Sequence, residues 1–193
     1  TDTPTNNFCT LNPLDNYYAA STFSEGNCKI VTGTTGIYTW NTGTFGLSTG
    51  KWYFEIKDTS AGSGNNDNFG IAEKPTILAG DHLGIKANDY AYTGSDGDIV
   101  NNNSETSYGD SFTTGDIIGV YMDLDNNKLY FGKNGTIQAS GTGFSITAVG
   151  STAHGVYFPA LGDWTGTAGT YEVNFGGCSA FTVSSAVADA NGY

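Results

Sequence analysis

The sequence predicts an all-β fold, an antiparallel β-sandwich of two sheets. Aromatic residues make up 13% of the 193 residues, and glycine contributes 28 of them. Aromatic and β-branched side chains favour the pleated surface of a strand, whereas glycine and asparagine favour tight turns. Short runs of alternating apolar and polar residues recur along the chain with turn residues between them, and helical periodicity is scarce. Many short strands joined in this way are typical of a sandwich.

The individual strands are identified by the spacing of their apolar residues. In residues 51–57 the apolar side chains occupy alternate positions, as in a strand with one buried face. Residues 117–125 and 128–131 are separated by Asn126-Asn127, which predicts a hairpin. Asn134-Gly135 predicts another tight turn, since both residues accept positive φ. Further strands are predicted over 155–161 and 170–175.

One face of each of these strands is expected to line the core between the two sheets. The period of two along a strand places alternate residues on the same face, and one buried face then fixes the register. The residues expected inside are Trp52, Phe54, Ile56, Val120, Met122, Leu124, Leu129, Phe131, Val173 and Phe175.

Two polar stretches, residues 58–68 and 88–107, are predicted to be long loops. Loops of this length in a compact domain are usually functional or mobile. The second stretch contains Tyr90, Tyr92 and Asp96, so it is a candidate recognition loop.

The charge balance excludes several classes of partner. The chain has 19 acidic residues against 7 basic ones, all of them lysine, and a formal net charge of -12. Without arginine it lacks the side chain best suited to bidentate phosphate binding, and its negative charge repels nucleic acid and anionic membranes. No run of 18 apolar residues occurs, so membrane insertion is not expected.

No motif in the sequence indicates an enzyme, a cofactor or a metal site. Asp123 and Asp125 alternate as in a calcium loop, but Lys128 and Asn134 stand at its sixth and twelfth positions, where glycine and glutamate are needed. A Gly-x-Ser-x-Gly nucleophile elbow and a paired-carboxylate glycosidase strand are both absent. The cysteines and histidines are too widely spaced for a zinc site. We therefore expect no catalytic activity.

Several segments, taken in chain order, resemble the SPRY domain family. Residues 115–135 are similar to the family's most diagnostic segment, and the resemblance covers about residues 45–177. It implies a SPRY/concanavalin-like jelly-roll formed by a single domain over residues 1–193. It also implies a binding module with specificity in the loops at one end. The shorter matching segments are residues 50–56, 68–72, 158–161 and 172–176.

The two ends of the chain resemble a narrower group. Residues 2–14 resemble the opening segment of SPRY-like modules in virion proteins of tailed phages, often tail-fibre or tail-associated proteins. Residues 189–193 resemble a segment that continues into further strands in such modules, so we expect the chain to be either processed or truncated there. The absence of an initiator methionine also indicates an excised or processed piece.

The resemblance implies a non-enzymatic binding or structural module of a phage virion protein, located in the virion or outside the cell. Its expected partners are a host surface receptor, either protein or glycan, or neighbouring virion subunits. Two alternatives stay open. One is a carbohydrate-binding module that recognises a host glycan. The other is a self-assembling extracellular fibre or shell subunit, which would make the chain a homo-oligomer.

Partner contacts are predicted at the loop end of the sandwich, at Tyr90, Tyr92, Asp96, Asp163 and Trp164. Rigid aromatic side chains supply contact area at low entropic cost, and neighbouring carboxylates supply directional hydrogen bonds. Trp164 lies in a glycine-rich connection and is expected to contribute most.

A disulfide is predicted between Cys28 and Cys178, with Cys9 left over. Both cysteines flank the segment that resembles a SPRY domain, where the first and last strands are expected to meet. Cys9 could instead pair with a residue beyond Tyr193, which would explain the odd number of cysteines. Peptide mapping without reduction should recover Cys28 linked to Cys178. A peptide linking Cys9 to either of the other two cysteines would contradict this pairing.

Overall fold

The structure, a computed structural model, describes residues 7–15, 21–33, 38–74, 81–163, 167–177 and 180–181. These residues form strands and single 3-10 turns and contain no α-helix, which confirms the predicted all-β class. No helix in these ranges is long and apolar enough to cross a membrane. The strands are β1 (Thr22–Ser24), β2 (Lys29–Val31), β3 (Thr39–Thr42), β4 (Lys51–Ser60), β5 (Asp67–Ala72), β6 (Asp89–Thr93), β7 (Asp98–Asn101), β8 (Ser104–Ser107), β9 (Ile117–Asp123), β10 (Lys128–Lys133), β11 (Thr136–Ile137), β12 (Phe144–Ser145), β13 (Phe158–Asp163) and β14 (Thr170–Asn174).

The described strands form two antiparallel sheets. The first sheet has the order β1-β2-β14-β4-β9-β10-β11, with β12 also paired to β10. The second sheet has the order β3-β13-β5-β6-β7-β8. β14 lies between β2 and β4 in the first sheet, and β13 lies between β3 and β5 in the second, so the last strands complete both sheets. The predicted antiparallel two-sheet sandwich is confirmed.

Asparagine and glycine shape the turns of the predicted hairpins. β9 and β10 form the predicted antiparallel hairpin, but Asp123 pairs with Lys128, so the turn spans residues 124–127. Asn127 takes a φ of 54° in this turn. β10 and β11 are joined by Asn134-Gly135, with φ values of 49° and 82°. Two positive φ angles in succession match the twist of the flanking strands, and asparagine and glycine tolerate them better than other residues.

The inward faces of both sheets enclose an aromatic and aliphatic core. Phe54, Val120 and Phe131 lie at one register position across β4, β9 and β10. From the second sheet, Tyr92 stacks on Phe131 and Phe69 stacks on Phe112, each with ring centroids 5.0 Å apart. The predicted core residues that are buried are Phe54, Ile56, Val120, Met122, Leu124, Leu129, Phe131 and Val173.

The core prediction was wrong for Trp52 and only partly right for Phe175. Trp52 has the inward parity of Phe54, yet its side chain is 46% exposed, and its indole N–H donates to the Thr49 carbonyl at 2.7 Å. Phe175 follows the last residue of β14 and is half-buried, with its ring 5.6 Å from that of Phe54. Alternation identifies the face of a strand, but it does not show how far the opposite sheet extends over that face.

The predicted loop over residues 88–107 was wrong, because this stretch contains β6, β7 and β8. Every residue of β6 is buried, and every residue of β8 is exposed. Period-two alternation appears only where one face is buried and the other is solvated. β6 is covered on both faces and β8 on neither, so neither strand shows the pattern. The loop predicted at 58–68 is shorter, because β4 extends to Ser60 and β5 begins at Asp67.

The cysteines agree with the part of the disulfide prediction that the structure describes. Cys9 is a free, buried thiol, and burial raises its pKa. Cys28 is fully buried and disulfide-bonded. Cys178 lies outside the described residues, so its pairing with Cys28 stays a prediction.

Truncating Phe54 to alanine should lower the free energy of unfolding by about 3–5 kcal/mol, because it removes a buried ring and leaves a cavity. Phe54 is 3% exposed and lies in the central strand pair of the first sheet. Guanidinium unfolding monitored by fluorescence would measure the change. Thr22→Ala, at an exposed position on β1, is the control and should change stability by no more than about 0.5 kcal/mol. A loss below about 1 kcal/mol for Phe54→Ala would contradict the assignment of this ring to the core.

Candidate functional site

The structure places Tyr90 and Tyr92 in the core rather than in a recognition loop. Both lie on β6 and are 2% and 0% exposed. The Tyr90 hydroxyl accepts a hydrogen bond from the Thr147 amide at 2.8 Å, and the Tyr92 hydroxyl donates to the Asp110 carbonyl. Burial raises the pKa of Tyr92. Their predicted location was therefore wrong, and these rings have almost no surface to offer a partner.

Asp96 is exposed in the turn between β6 and β7, where it organises the backbone. Its carboxylate accepts hydrogen bonds from the Thr93 hydroxyl, from the Ser95 hydroxyl at 3.2 Å and from the Asp98 amide at 3.1 Å. Partial burial acts to raise its pKa, but these hydrogen bonds outweigh burial and lower it. A role in partner binding stays a prediction for Asp96. Trp164 lies outside the described residues.

Asp163 is buried within a group of acidic side chains, so the prediction of an exposed contact residue was wrong. It is 3% exposed and pairs in register with Asp67 across β13 and β5. Asp58 is fully buried nearby, and the Tyr171 hydroxyl donates to Asp67. Burial first, and then the charge of Asp67, raise the pKa of Asp58 to about 7. Burial likewise raises the pKa of Asp67 to about 6.

Asp58 and Asp67 therefore keep their protons to a higher pH than an ordinary aspartate does. No group of three or more histidine, cysteine, aspartate or glutamate side chains among the described residues is arranged to hold a metal ion. A carboxyl that stays protonated avoids the desolvation cost of a buried charge. The acidic group therefore belongs to the interior of the domain and couples its stability to pH.

An exposed aromatic surface lies instead on the outer side of the first sheet. Tyr53, Tyr121 and Tyr130 occupy one register position across β4, β9 and β10, on the side opposite to the core. Ile137 lies on the same side and borders the groove that these tyrosines line, whose volume is about 470 Å³. We call these four residues the aromatic face. Tyr53 and Ile137 are 49% and 40% exposed, and the other two tyrosines are half-buried.

Glycines beneath the aromatic face allow its rings to lie close to the backbone. A Cβ atom at Gly119 would lie 3.0 Å from Cε2 of Tyr53, and one at Gly143 would lie 2.6 Å from Cζ of Tyr130. The rings of Tyr53 and Tyr121 are 4.5 Å apart with a 35° tilt. Because larger residues would push these rings outward, the glycines keep the aromatic face shallow.

The two sheets differ in how their outer sides are covered. On the second sheet, Trp40, Ala72, Leu83, Ala91 and Ala160 form a buried cluster outside the main core. On the first sheet, the aromatic face leaves large apolar side chains open to solvent. Contiguous exposed apolar surface of this kind marks interaction sites.

Charged residues border the tyrosine row on both sides. Lys51 and Asp123 form an ion pair at 3.1 Å on one side. Glu55 lies on the other side, where its two oxygens accept hydrogen bonds from the Tyr53 hydroxyl at 2.7 Å and from the Asn174 amide at 2.8 Å. Burial and the neighbouring Glu55 raise the pKa of Tyr53, so its ring stays neutral at physiological pH.

Part of this surface could have been found in the sequence. The predicted hairpin already brings the strands of Tyr121 and Tyr130 side by side, and alternation along residues 51–57 already places Tyr53 opposite to Phe54. What the sequence does not show is that β4 lies beside β9, because residues 61–116 separate the two strands along the chain. Only that pairing brings the third tyrosine into the row.

Residues 51–176 match the family model described as SPRY domain. The chain is 34% identical over 88 residues to Ran-binding protein 9 of Danio rerio, which covers 45% of this chain and 14% of that protein. It is 30% identical over 127 residues to the ATP-dependent RNA helicase DDX1 of Xenopus laevis, covering 65% and 16%. It thus corresponds to a small part of these relatives.

Two solved structures have the same fold. The SPRY domain of human HERC1 superimposes with a TM-score of 0.70 at 17% identity, covering 90% of this chain and 99% of that one. A second human SPRY domain gives a TM-score of 0.62 at 19% identity, covering 81% and 95%. At these identities the likeness concerns the jelly-roll fold alone.

Replacing Asp58 with asparagine should remove part of the loss of stability that the wild type shows between pH 4 and pH 8. The variant should therefore gain stability relative to the wild type as the pH rises. The pKa of Asp58 is raised from 3.8 to about 7. The stability that comes from protonated Asp58 is therefore complete below about pH 4 and is lost as the pH rises to about 7. Asparagine does not titrate at this position, so its contribution to stability does not change with pH. Each pKa unit corresponds to about 1.4 kcal/mol, so the difference should be about 2–4 kcal/mol.

Urea unfolding at pH 4, 6 and 8 would measure this difference for both proteins. Asp125→Asn is the matched control, because Asp125 is exposed and its loss should leave the pH profile unchanged. Parallel pH profiles for wild type and Asp58→Asn would show that Asp58 does not hold its proton in the folded state.

Proposed function

The chain belongs to the SPRY domain family, and from this premise we propose that it is a non-catalytic module that binds a protein partner through the aromatic face. SPRY domains mediate protein interactions, and part of this chain is similar to Ran-binding protein 9. The family supports the general role, and the exposed surface of this chain supports the particular contact.

The single observation that carries the proposal is the row of Tyr53, Tyr121 and Tyr130 on an uncovered sheet face. Tyrosine and tryptophan are enriched among the residues that dominate binding energy at protein interfaces. Their rings bring large contact area with few rotamers to immobilise. Because these rings sit on paired strands rather than on loops, they are ordered before a partner arrives, which reduces the entropic cost of binding.

The acidic groups near the aromatic face support a binding role rather than catalysis. Asp123 is engaged by Lys51 and Asn126, and Glu55 by Tyr53 and Asn174. The pKa of Asp123 is lowered, chiefly by the hydrogen bond from Asn126. A general acid needs a raised pKa near the working pH, so this carboxylate is suited to holding the surface together.

A finer proposal places the domain in a phage virion protein, in the virion or outside the cell, where the partner would be a host receptor or a neighbouring subunit. Its support is the resemblance of residues 2–14 and 189–193 to SPRY-like modules of tailed phages. The relatives reported above are animal proteins, so this assignment depends on the terminal segments alone.

Removing two tyrosines from the aromatic face should reduce partner capture by at least about tenfold, since each interface aromatic typically contributes 1 kcal/mol or more. The double variant Tyr121→Ser and Tyr130→Ser would be compared with wild type by affinity capture and quantitative mass spectrometry. Val31→Ser is the matched control, because Val31 is exposed on the same sheet but on β2. Circular dichroism would show that all three proteins are folded.

Equal capture of the same proteins by all three variants would contradict the proposal. Two other measurements address the alternative functions. Glycan-array binding that is lost in the double variant would favour a carbohydrate-binding module. Concentration-dependent sedimentation that is lost in the double variant would favour a self-assembling subunit.

A further inference from the structure

We infer that the aromatic face binds an arginine side chain supplied by the partner. This inference rests on the proposed function and names the chemistry of the contact. It depends on the ring faces of Tyr53 and Tyr121, on Glu55 beside them, and on the charge of the whole chain.

The tyrosine rings offer a suitable surface for a planar cation. Tyr53 and Tyr121 lie 4.5 Å apart and tilt by 35°, and glycines allow them to rest close to the sheet. The face of an aromatic ring carries partial negative charge and attracts a cation placed over it. A guanidinium group is flat and weakly hydrated, so it stacks on such a face more readily than an ammonium group does.

Glu55 supplies the carboxylate that a stacked guanidinium needs at its edge. It lies two residues from Tyr53 on the same outward side of β4, roughly 7 Å along the strand. Its oxygens each accept one hydrogen bond, from Tyr53 and from Asn174. A carboxylate oxygen has two lone pairs, so Glu55 retains capacity for two donors of a guanidinium fork.

Most lysines of this sheet have partners away from Glu55. Lys51 pairs with Asp123 on the far side of the tyrosine row, and Lys128 donates to the Ser145 hydroxyl at 2.8 Å. Lys57 is the next outward residue of β4 beyond Glu55, and its ammonium lies over the Phe181 ring. The register position of Glu55 continues through Gly119, Gly132 and Ile137, which carry no positive charge. A cation that approaches over these residues therefore meets a carboxylate and two ring faces.

The composition of the chain argues for a foreign partner rather than a second copy. All seven basic residues are lysine, so another copy brings no guanidinium. The net charge of -12 repels a second copy and attracts a basic segment. The sheet already shows the same type of contact within one molecule, since the Lys57 ammonium lies 5.9 Å from the centre of the Phe181 ring.

The test is an NMR titration of the 15N-labelled chain at low salt with a nonapeptide of three arginine–glycine–glycine repeats. Matched peptides carry lysine or neutral citrulline in place of arginine. We expect the arginine peptide to bind about fivefold more tightly than the lysine peptide and at least tenfold more tightly than the citrulline peptide. The amides of Gly119 and Gly132 should shift most.

Two variants locate the contact. Glu55→Gln and Tyr121→Leu should each weaken binding of the arginine peptide by about fivefold or more, and raising the salt should weaken it further. Glu105→Gln is the control for charge alone, because Glu105 is exposed on β8 of the second sheet. If Tyr121→Leu perturbs the fold, Glu55→Gln still decides the outcome.

Equal affinity for the three peptides, or equal affinity of wild type and Glu55→Gln, would overturn the inference. The proposed function is judged separately by the capture experiment. A third result is that the two serine substitutions abolish partner capture while the chain binds the three peptides equally well. That result would keep the aromatic face as the interface and refute arginine as its ligand.

Discussion

The antiparallel pairing of β4 with β9 is the constraint on which the rest of this structure depends. Its register sets Phe54 against Val120 on one side and Tyr53 against Tyr121 on the other. A shift by one residue would exchange the two faces, and Phe54 and Ile56, the core side chains of β4, would point to solvent. The hydrophobic core and the aromatic face are therefore two consequences of the same pairing, and a change in its register would disrupt both.

The sandwich treats its two outer sides differently, and this difference is what points to function. The second sheet has a buried cluster outside the main core, around Trp40 and Leu83. On its outer side the first sheet has tyrosines instead. Strand pairing orders them, and glycines allow their rings to lie close to the backbone. Tyrosine tolerates water at its hydroxyl and presents an apolar ring, so it suits a surface that must be stable both free and bound.

The buried carboxyls around Asp67 show a different balance. Asp58 and Asp163 lie beside it, and burial raises the pKa of both Asp58 and Asp67. Deprotonating them in the interior costs free energy. The acidic residues of this chain therefore do more than charge its surface, because some of them are buried and make folding sensitive to pH. The exposed acids remain available to attract a basic partner.

The sequence by itself determined the all-β class, the hairpins at Asn126-Asn127 and Asn134-Gly135, and most of the core. These features depend on local backbone preferences and on period-two alternation, which neighbouring residues specify. Only the tertiary structure decided that Tyr90 and Tyr92 are buried, that Trp52 is exposed, and that Tyr53 joins Tyr121 and Tyr130 in one surface. Burial and adjacency depend on which strands pair and on how far the opposite sheet extends. Those are properties of the assembled sheets, and they leave no periodic signal in a strand that is covered on both faces or on neither.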